Sequence, residues 1–246
     1  MTQQRTEEAS MELPSVAPLR NEQPRVTSED LPGPTPRTLS KVTPLPLSSP
    51  PIKILGFDLE NRPLAYWYDG NTTSEITAIG WKWVDGSSTA DSNVHTLMLR
   101  ADGSFELPSG VRLSALDAYT HFRDVLLSAD VVFGHNIRKH DLPIFQAGLL
   151  RLRIPPLGSI RTTDTLRDIP KRNGLSASLA NLTAMYGLEG EKQSMSHTDW
   201  ELSNRLTDEG ITLARGRVVG DVLLQEQLRA KLLDLGILKA PRMWTP

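Results

Sequence analysis

The chain has 246 residues, with 27 basic against 29 acidic side chains and no cysteine. That composition excludes disulfides and thiolate metal sites, fits a cytoplasmic setting, and gives no overall electrostatic grip on nucleic acid. The opening MTQQRTEEAS has no apolar stretch of the signal-peptide kind, and no run of about 18 apolar residues marks a membrane span, so no membrane partner is expected.

Residues 1–50 hold 9 of the 18 prolines and none of the 14 aromatic residues. Such a segment buries too little apolar surface to offset its ordering entropy, so 1–50 reads as a disordered, proline-rich tail. Its Pro-x-Pro spacing (Pro32, Pro34, Pro36; Pro44, Pro46) favours extended polyproline and suits a linker or a tether to a partner. The remainder, 51–240, reads as one α/β domain.

PIKILGF predicts a short buried strand opened by Pro51, which ends in GFDLE with Asp58 and Glu60 one residue apart. LAYWYDGNTTSEITAIGWKWVDG predicts two β segments around a polar turn at 69–71, and HTLMLRADG a third strand. A helical stripe, Leu116, Tyr119, Phe122, Val125 and Leu126, follows a Ser114 cap. DVVFGHN reads as a strand, and a helix from about Asp141 to Arg151 precedes Pro155 and Pro156. SIRTTDTL suggests a last strand. From Ser176 onward the pattern is helical, ending in a long helix stopped by Gly236, and APRMWTP either folds back through Trp244 or frays. Strands first, then alternating helix and strand, then helices, predict a mixed sheet with helices on both faces.

Acids in three stretches ask for an explanation. Asp58 and Glu60 project to one side of a strand, where two carboxylates repel each other unless a proton or cation lies between them. A strand running into solvent shows the same pattern. Asp141 opens a helix, which its charge favours on macrodipole grounds alone, after a Gly-His-Asn turn containing His135 and Asn136. Asp221 lies among Val218, Val219, Val222 and Leu223; alternatively it sits on a solvent face with Arg217 and Gln225. Together the four form a hard-oxygen set suited to Mg²⁺ or Mn²⁺, and two such ions activate water and stabilise the leaving oxygen in phosphodiester cleavage. Asp164 reads as a turn or capping residue, and Asp199 and Trp200 as a helix start and a packing anchor.

The order FDLE, GHNIRKHDLPIF, GDVLL resembles the DnaQ-like, or DEDD-type, 3′–5′ exonucleases of the ribonuclease H-like fold, over about 51–235. Phe57, Asp58 and Glu60 match the family's first motif, and His135, Asn136 and Asp141 its second. TTDTL at 162–166 and SLANLTAMYGL look like the segments that follow, and the wider run is most similar to versions encoded by actinobacterial phages. The resemblance implies a two-metal 3′–5′ exonuclease acting on single-stranded 3′ ends of DNA in replication or repair, in the host cytoplasm if phage-encoded. Asp58, Glu60, Asp141 and Asp221 would be metal ligands and catalytic. Leu59, Asn61, His135 and Asn136 would lie against the terminal nucleotide, and the tail could reach a replicative polymerase.

The third motif departs. A Tyr four residues, or a His five residues, before the final Asp is usual; here those positions are Arg217 and Gly216. Arginine stays protonated and cannot act as a base. Either His197 enters from a loop, ahead of a helix capped by Thr198, or Arg217 contacts the scissile phosphate, or the domain is a weak or inactive DNA-end-binding module. An RNA-trimming nuclease of the same fold is a further reading, since nothing here places contacts to a 2′-hydroxyl. Residues 133–172 carry 8 Lys/Arg against 3 Asp/Glu, a solvated basic face or a surface that steers phosphates.

Overall fold

A computed structural model describes residues 52–65, 72–84, 93–170, 174–190 and 192–246. The tail 1–50, the turn at 69–71, and Lys171 with Arg172 lie outside the described residues.

β1 (Ile54–Ala65) is the centre of an open, eight-stranded mixed sheet. On one side it pairs antiparallel with β2 (Thr72–Trp83), which leads through β3 (His95–Leu99) and β4 (Phe105–Glu106) to β5 (Arg112–Leu113). On the other side it runs parallel to β6 (Val131–Gly134), then β7 (Ile160–Asp164), with β8 (Arg242–Trp244) antiparallel at the edge. The helices are α1 (Ala115–Leu127), α2 (Asp141–Arg151), α3 (Leu179–Tyr186), α4 (His197–Asn204) and α5 (Asp208–Asp234).

Alternation along β1 divides its side chains between two helical layers. Leu55, Phe57 and Leu59 are buried in the main core, and the Phe57 ring meets Phe122 of α1 at 5.7 Å between centroids. Phe145 of α2 completes that layer, stacked on Tyr119 at 5.5 Å and edge-on to Phe122 at 5.1 Å. Gly56, Asp58 and Glu60 alternate to the opposite face, where α5 packs across β1 and β2. Burial on both faces explains why Ile76–Trp81 is continuously buried instead of alternating.

Several sequence expectations need correction. The strand read as ending near Glu60 continues to Ala65, because its antiparallel ladder with β2 runs on past a bulge between Glu60 and Asn61. Asp58 and Glu60 therefore sit in mid-strand. Parallel pairing with β6 reaches only Gly56, so on that flank the pair does lie beyond the end of the neighbouring strand. The short strands β4 and β5 were not read from the sequence, and β7 is not the last strand. The C-terminal segment folds back, with Trp244 opposite Ile160. The α4 cap is Ser196 and not Thr198: its hydroxyl accepts from the Asp199 N–H while the Asp199 carboxylate accepts from the Ser196 N–H, a reciprocal capping box. Ser114 caps α1 as expected.

Candidate metal centre

Two local features carry the acids of β1 and α5 to one point. Residues 214, 218, 221, 225, 228 and 232 of α5 are all buried, a spacing of alternating four and three that defines one helical face. Asp221 and Gln225 are in the middle of that face, 2% and 1% exposed, which answers the solvent-face alternative. The second feature is Gly80, which stands opposite Asp58 in the β1–β2 register. A methyl group there would lie 3.0 Å from a Val218 methyl carbon and 3.3 Å from the Val218 carbonyl oxygen, so glycine lets α5 approach the sheet. Asp58, Glu60 and Asp221 each offer a carboxylate oxygen, and these lie within 4.8 Å of one another. Such a cluster can coordinate a divalent cation.

Each of the three is held through one oxygen. Asp58 Oδ1 accepts from Gln225 Nε2 at 2.7 Å, Glu60 Oε1 from Arg217 Nε at 2.6 Å, and Asp221 Oδ2 from Lys192 Nζ at 2.6 Å. Asp221 Oδ1 is buried and has no hydrogen-bond partner among the described residues. A buried carboxylate oxygen left unpaired is costly, and a hard cation is the partner its chemistry suits. The all-oxygen donor set fits Mg²⁺ or Mn²⁺ on the same ground.

Asp141, the fourth acid expected at the site, is not a member of that group of three; it lies against β1 through the Leu59 amide. Beyond Gly56, β1 has no strand partner on the β6 side, and the Leu59 N–H instead donates to Asp141 Oδ1 at 3.1 Å. Asp141 is the first residue of α2, whose preceding His140 makes no side-chain cap. It is 3% exposed, and burial pushes its carboxyl up to about 7. Burial likewise drives the Asp58 carboxyl well up, reinforced by Asp141, Asp221 and Glu60 and opposed by Lys192. Glu60 is raised by burial too, against the pull of Arg217. Burial is thus the leading cause that holds all three of these acids toward their neutral form.

The structure gives the remaining predicted residues varied places. The Nδ1 of His135 lies 2.9 Å from Thr165 Oγ1, and burial lowers this imidazole to about 4. Asn136 has a φ of 70° and accepts from Arg167 through Oδ1. Asp164 is buried beneath this turn and accepts from the backbone N–H groups of Asn136, Arg138, Leu166 and Arg167, the organising role its position suggested. Asn61 follows Glu60 at the bulge, half-buried. The His197 side chain is 91% exposed and lies 3.5 Å from Glu201. Arg217 is held by Glu60, by the Gln193 carbonyl at 2.7 Å and by the Trp200 ring, 5.1 Å from the guanidinium carbon, and its Nη2 also lies 3.9 Å from Asp221 Oδ2.

Lys192, Gln193 and Gln225 were missed. Gln225 was legible, because it follows Asp221 by four on an apolar helical stripe. Lys192 and Gln193 come from a loop whose sequence carries no periodic signal. Part of the basic stretch is committed elsewhere. Arg138 makes paired bonds to the buried Asp168 at 2.7 and 2.8 Å, Arg151 reaches Glu75, and Arg167 holds Asn136; Lys139, Arg153 and Arg161 are exposed. No helix among the described residues is long and apolar enough to cross a membrane.

No family model matches the chain, and no curated protein does. Among solved structures, the chain is similar to the family B DNA polymerase from the hyperthermophilic archaeon Pyrobaculum calidifontis, at 17% identity and a TM-score of 0.50, covering 76% of this chain and 25% of that one. The chain thus spans about a quarter of the polymerase's length, and at this identity the likeness speaks to the fold alone. An open mixed sheet flanked by helices, with a cluster of acids able to chelate a divalent cation, is a nuclease-like arrangement.

Proposed function

We propose that the chain is a metal-dependent 3′–5′ exonuclease of the ribonuclease H-like, DnaQ type, acting on single-stranded DNA ends. The observation that carries this reading is the carboxylate cluster with its orphaned Asp221 oxygen, at the open flank of the central strand. The strand order supports it as well: five antiparallel strands, β5 to β1, continued by the parallel strands β6 and β7, with the acids just beyond the end of the β1–β6 pairing. Asp58, Glu60 and Asp221, with Asp141 beside them, are the residues to hold Mg²⁺ or Mn²⁺. Two such ions, when bound, supply the Lewis acidity that activates water and stabilises the departing 3′ oxygen.

The chain's own residues set the geometry. Gln225 and Arg217 each fix one oxygen of an acid, and the Leu59 N–H fixes one of Asp141. The mid-strand backbone at Leu59 and Asn61, with the turn of His135 and Asn136, is the surface we assign to the terminal nucleotide. His197 is the first residue of α4 and faces Glu201 in this structure, so as a water-orienting group it must turn inward; Lys192, from the loop before α4, already touches Asp221. The phage setting, a cytoplasmic location and a polymerase partner reached through the tail belong to the same proposal.

A second reading rests on Arg217. Where the family places a water-orienting Tyr or His, a guanidinium already bonded to Glu60 stands without any capacity to accept a proton. An end-binding module that cuts poorly follows from that. The deciding experiment is degradation of a 5′-labelled single-stranded DNA in Mg²⁺ and in Mn²⁺. A ladder shortening from the 3′ end is expected, reduced more than about a hundredfold in the Asp58→Ala, Glu60→Ala double variant. Intact DNA in both metals, with strand binding retained, leaves the end-binding module.

A further inference from the structure

The acid cluster is matched by two cations that are held very differently. Arg217 is pinned by Glu60, by a backbone carbonyl and by an aromatic face, and its side chain is 15% exposed. Lys192 has a flexible four-carbon stem, a side chain 27% exposed and, among the described residues, a single hydrogen bond, to Asp221 Oδ2. It also lines a cleft of about 330 Å³ whose other walls, Ala180, Thr183, Ala184, Gly187, Leu188 and Gly190, are small and uncharged apart from one leucine. Lys192 therefore borders both the acid cluster, through its ammonium on Asp221, and an open groove with no other charged side chain in its lining.

From this arrangement, and resting on the nuclease reading above, we infer that Lys192 is an exchangeable counter-ion. Without a divalent cation it neutralises Asp221. When a cation occupies the cluster, the ammonium leaves Asp221, turns into the cleft, and pairs with a phosphate of the incoming strand. Arg217 stays with Glu60 in both states. Strand binding and cation loading are then coupled, because the positive charge that grips the strand is released only where the cluster is filled. Coulomb repulsion between the ammonium and a cation sharing one carboxylate supplies the drive.

The test compares the full chain with Lys192→Met, which keeps the stem's length, with Lys192→Arg, which keeps the charge, and with Asp221→Asn. Mn²⁺ binding is followed by loss of the free-ion electron paramagnetic resonance signal. Removing the competing ammonium is expected to tighten Mn²⁺ about tenfold in Lys192→Met, the size of a lost charge-assisted bond, and not in Lys192→Arg. Binding of a labelled oligothymidylate is then measured against salt, in Ca²⁺ with the strand checked intact afterwards, and in EDTA. One lost phosphate contact lowers the slope of log K on log salt by about 0.7. That loss is expected in Ca²⁺ and not in EDTA, and Lys192→Arg should restore it.

Mn²⁺ affinity in Lys192→Met equal to or weaker than wild type overturns the exchange and leaves the nuclease reading intact. So does an equal slope change with and without Ca²⁺. Wild-type Mn²⁺ binding no better than that of Asp221→Asn overturns both.

Discussion

Asp58 and Asp141 are acids placed where ionisation is penalised, by burial first and then by neighbouring carboxylates: Asp141, Asp221 and Glu60 for Asp58, Glu60 and Asp164 for Asp141. In metal-free protein their charge is a liability. Asp58→Asn is therefore expected to stabilise the fold in EDTA while abolishing the gain in stability that Mg²⁺ gives the wild type. Urea denaturation with and without Mg²⁺ checks both halves; a variant less stable in EDTA overturns the first.

The pH dependence has a definite sign. An unfolded aspartate ionises near 3.9, whereas folded Asp141 holds its proton up to about 7. Its contribution is complete below the unfolded value and lost as pH rises through the folded one. Metal-free protein thus loses Asp141's contribution between roughly pH 4 and 7. Because protons and cations compete for the same oxygens, the rise in Tm on adding Mg²⁺ should be larger at pH 8 than at pH 5. His135 works in the opposite direction. Folding holds it neutral down to about pH 4, so its contribution is present above about 6.5 and lost as pH falls through 4. His135→Gln should flatten the decline in Tm over that window.

At the scale of elements, the site depends on how closely α5 rides on the sheet. Gly80→Ala inserts a methyl group against Val218 directly opposite Asp58. Overpacking of this kind is expected to cost about 1–2 kcal/mol and to weaken Mn²⁺ binding by moving Asp221 away from Asp58. Titration of Mn²⁺ against the variant measures the second effect; unchanged affinity would mean that α5 does not set the cluster's span. Legibility divided along the same lines. The Ser114 cap of α1 and the bounds of α2 from Asp141 to Arg151 are written in local sequence and were read correctly, whereas Leu116, assigned to the apolar stripe of α1, is 52% exposed and the buried stripe begins at Ala118. The length of β1 was not, because its outer half is defined by a ladder with β2 that composition does not specify. Ser196 was overlooked as a cap because Thr198 offers a similar hydroxyl two residues later, and only the reciprocal bond from Asp199 separates them. Lys192 had no local signal at all: its partner lies 29 residues away on another element.

For the whole molecule, the main core joins the layers of α1 and α2 to the sheet and to α5, while a smaller cluster gathers Ile169, Leu179, Leu182, Leu224, Leu228 and Leu232 under α3. We expect residues 1–50 to add nothing to this stability, so that 51–246 alone should melt at the temperature of the full chain. A lower Tm for the shortened chain, measured by circular dichroism, would assign the tail a structural part.

The bond from the Leu59 amide to Asp141 has a practical consequence. In mid-sheet, an amide ordinarily exchanges with solvent only when its strand opens. This one is sealed by a side chain, so its exchange rate and its nitrogen resonance follow the state of a single carboxylate at the edge of the acid cluster. A ¹⁵N spectrum of this central strand then carries a spy on the chemistry: one peak answering to proton, cation or the Asp141→Asn change while its neighbours along β1 hold still.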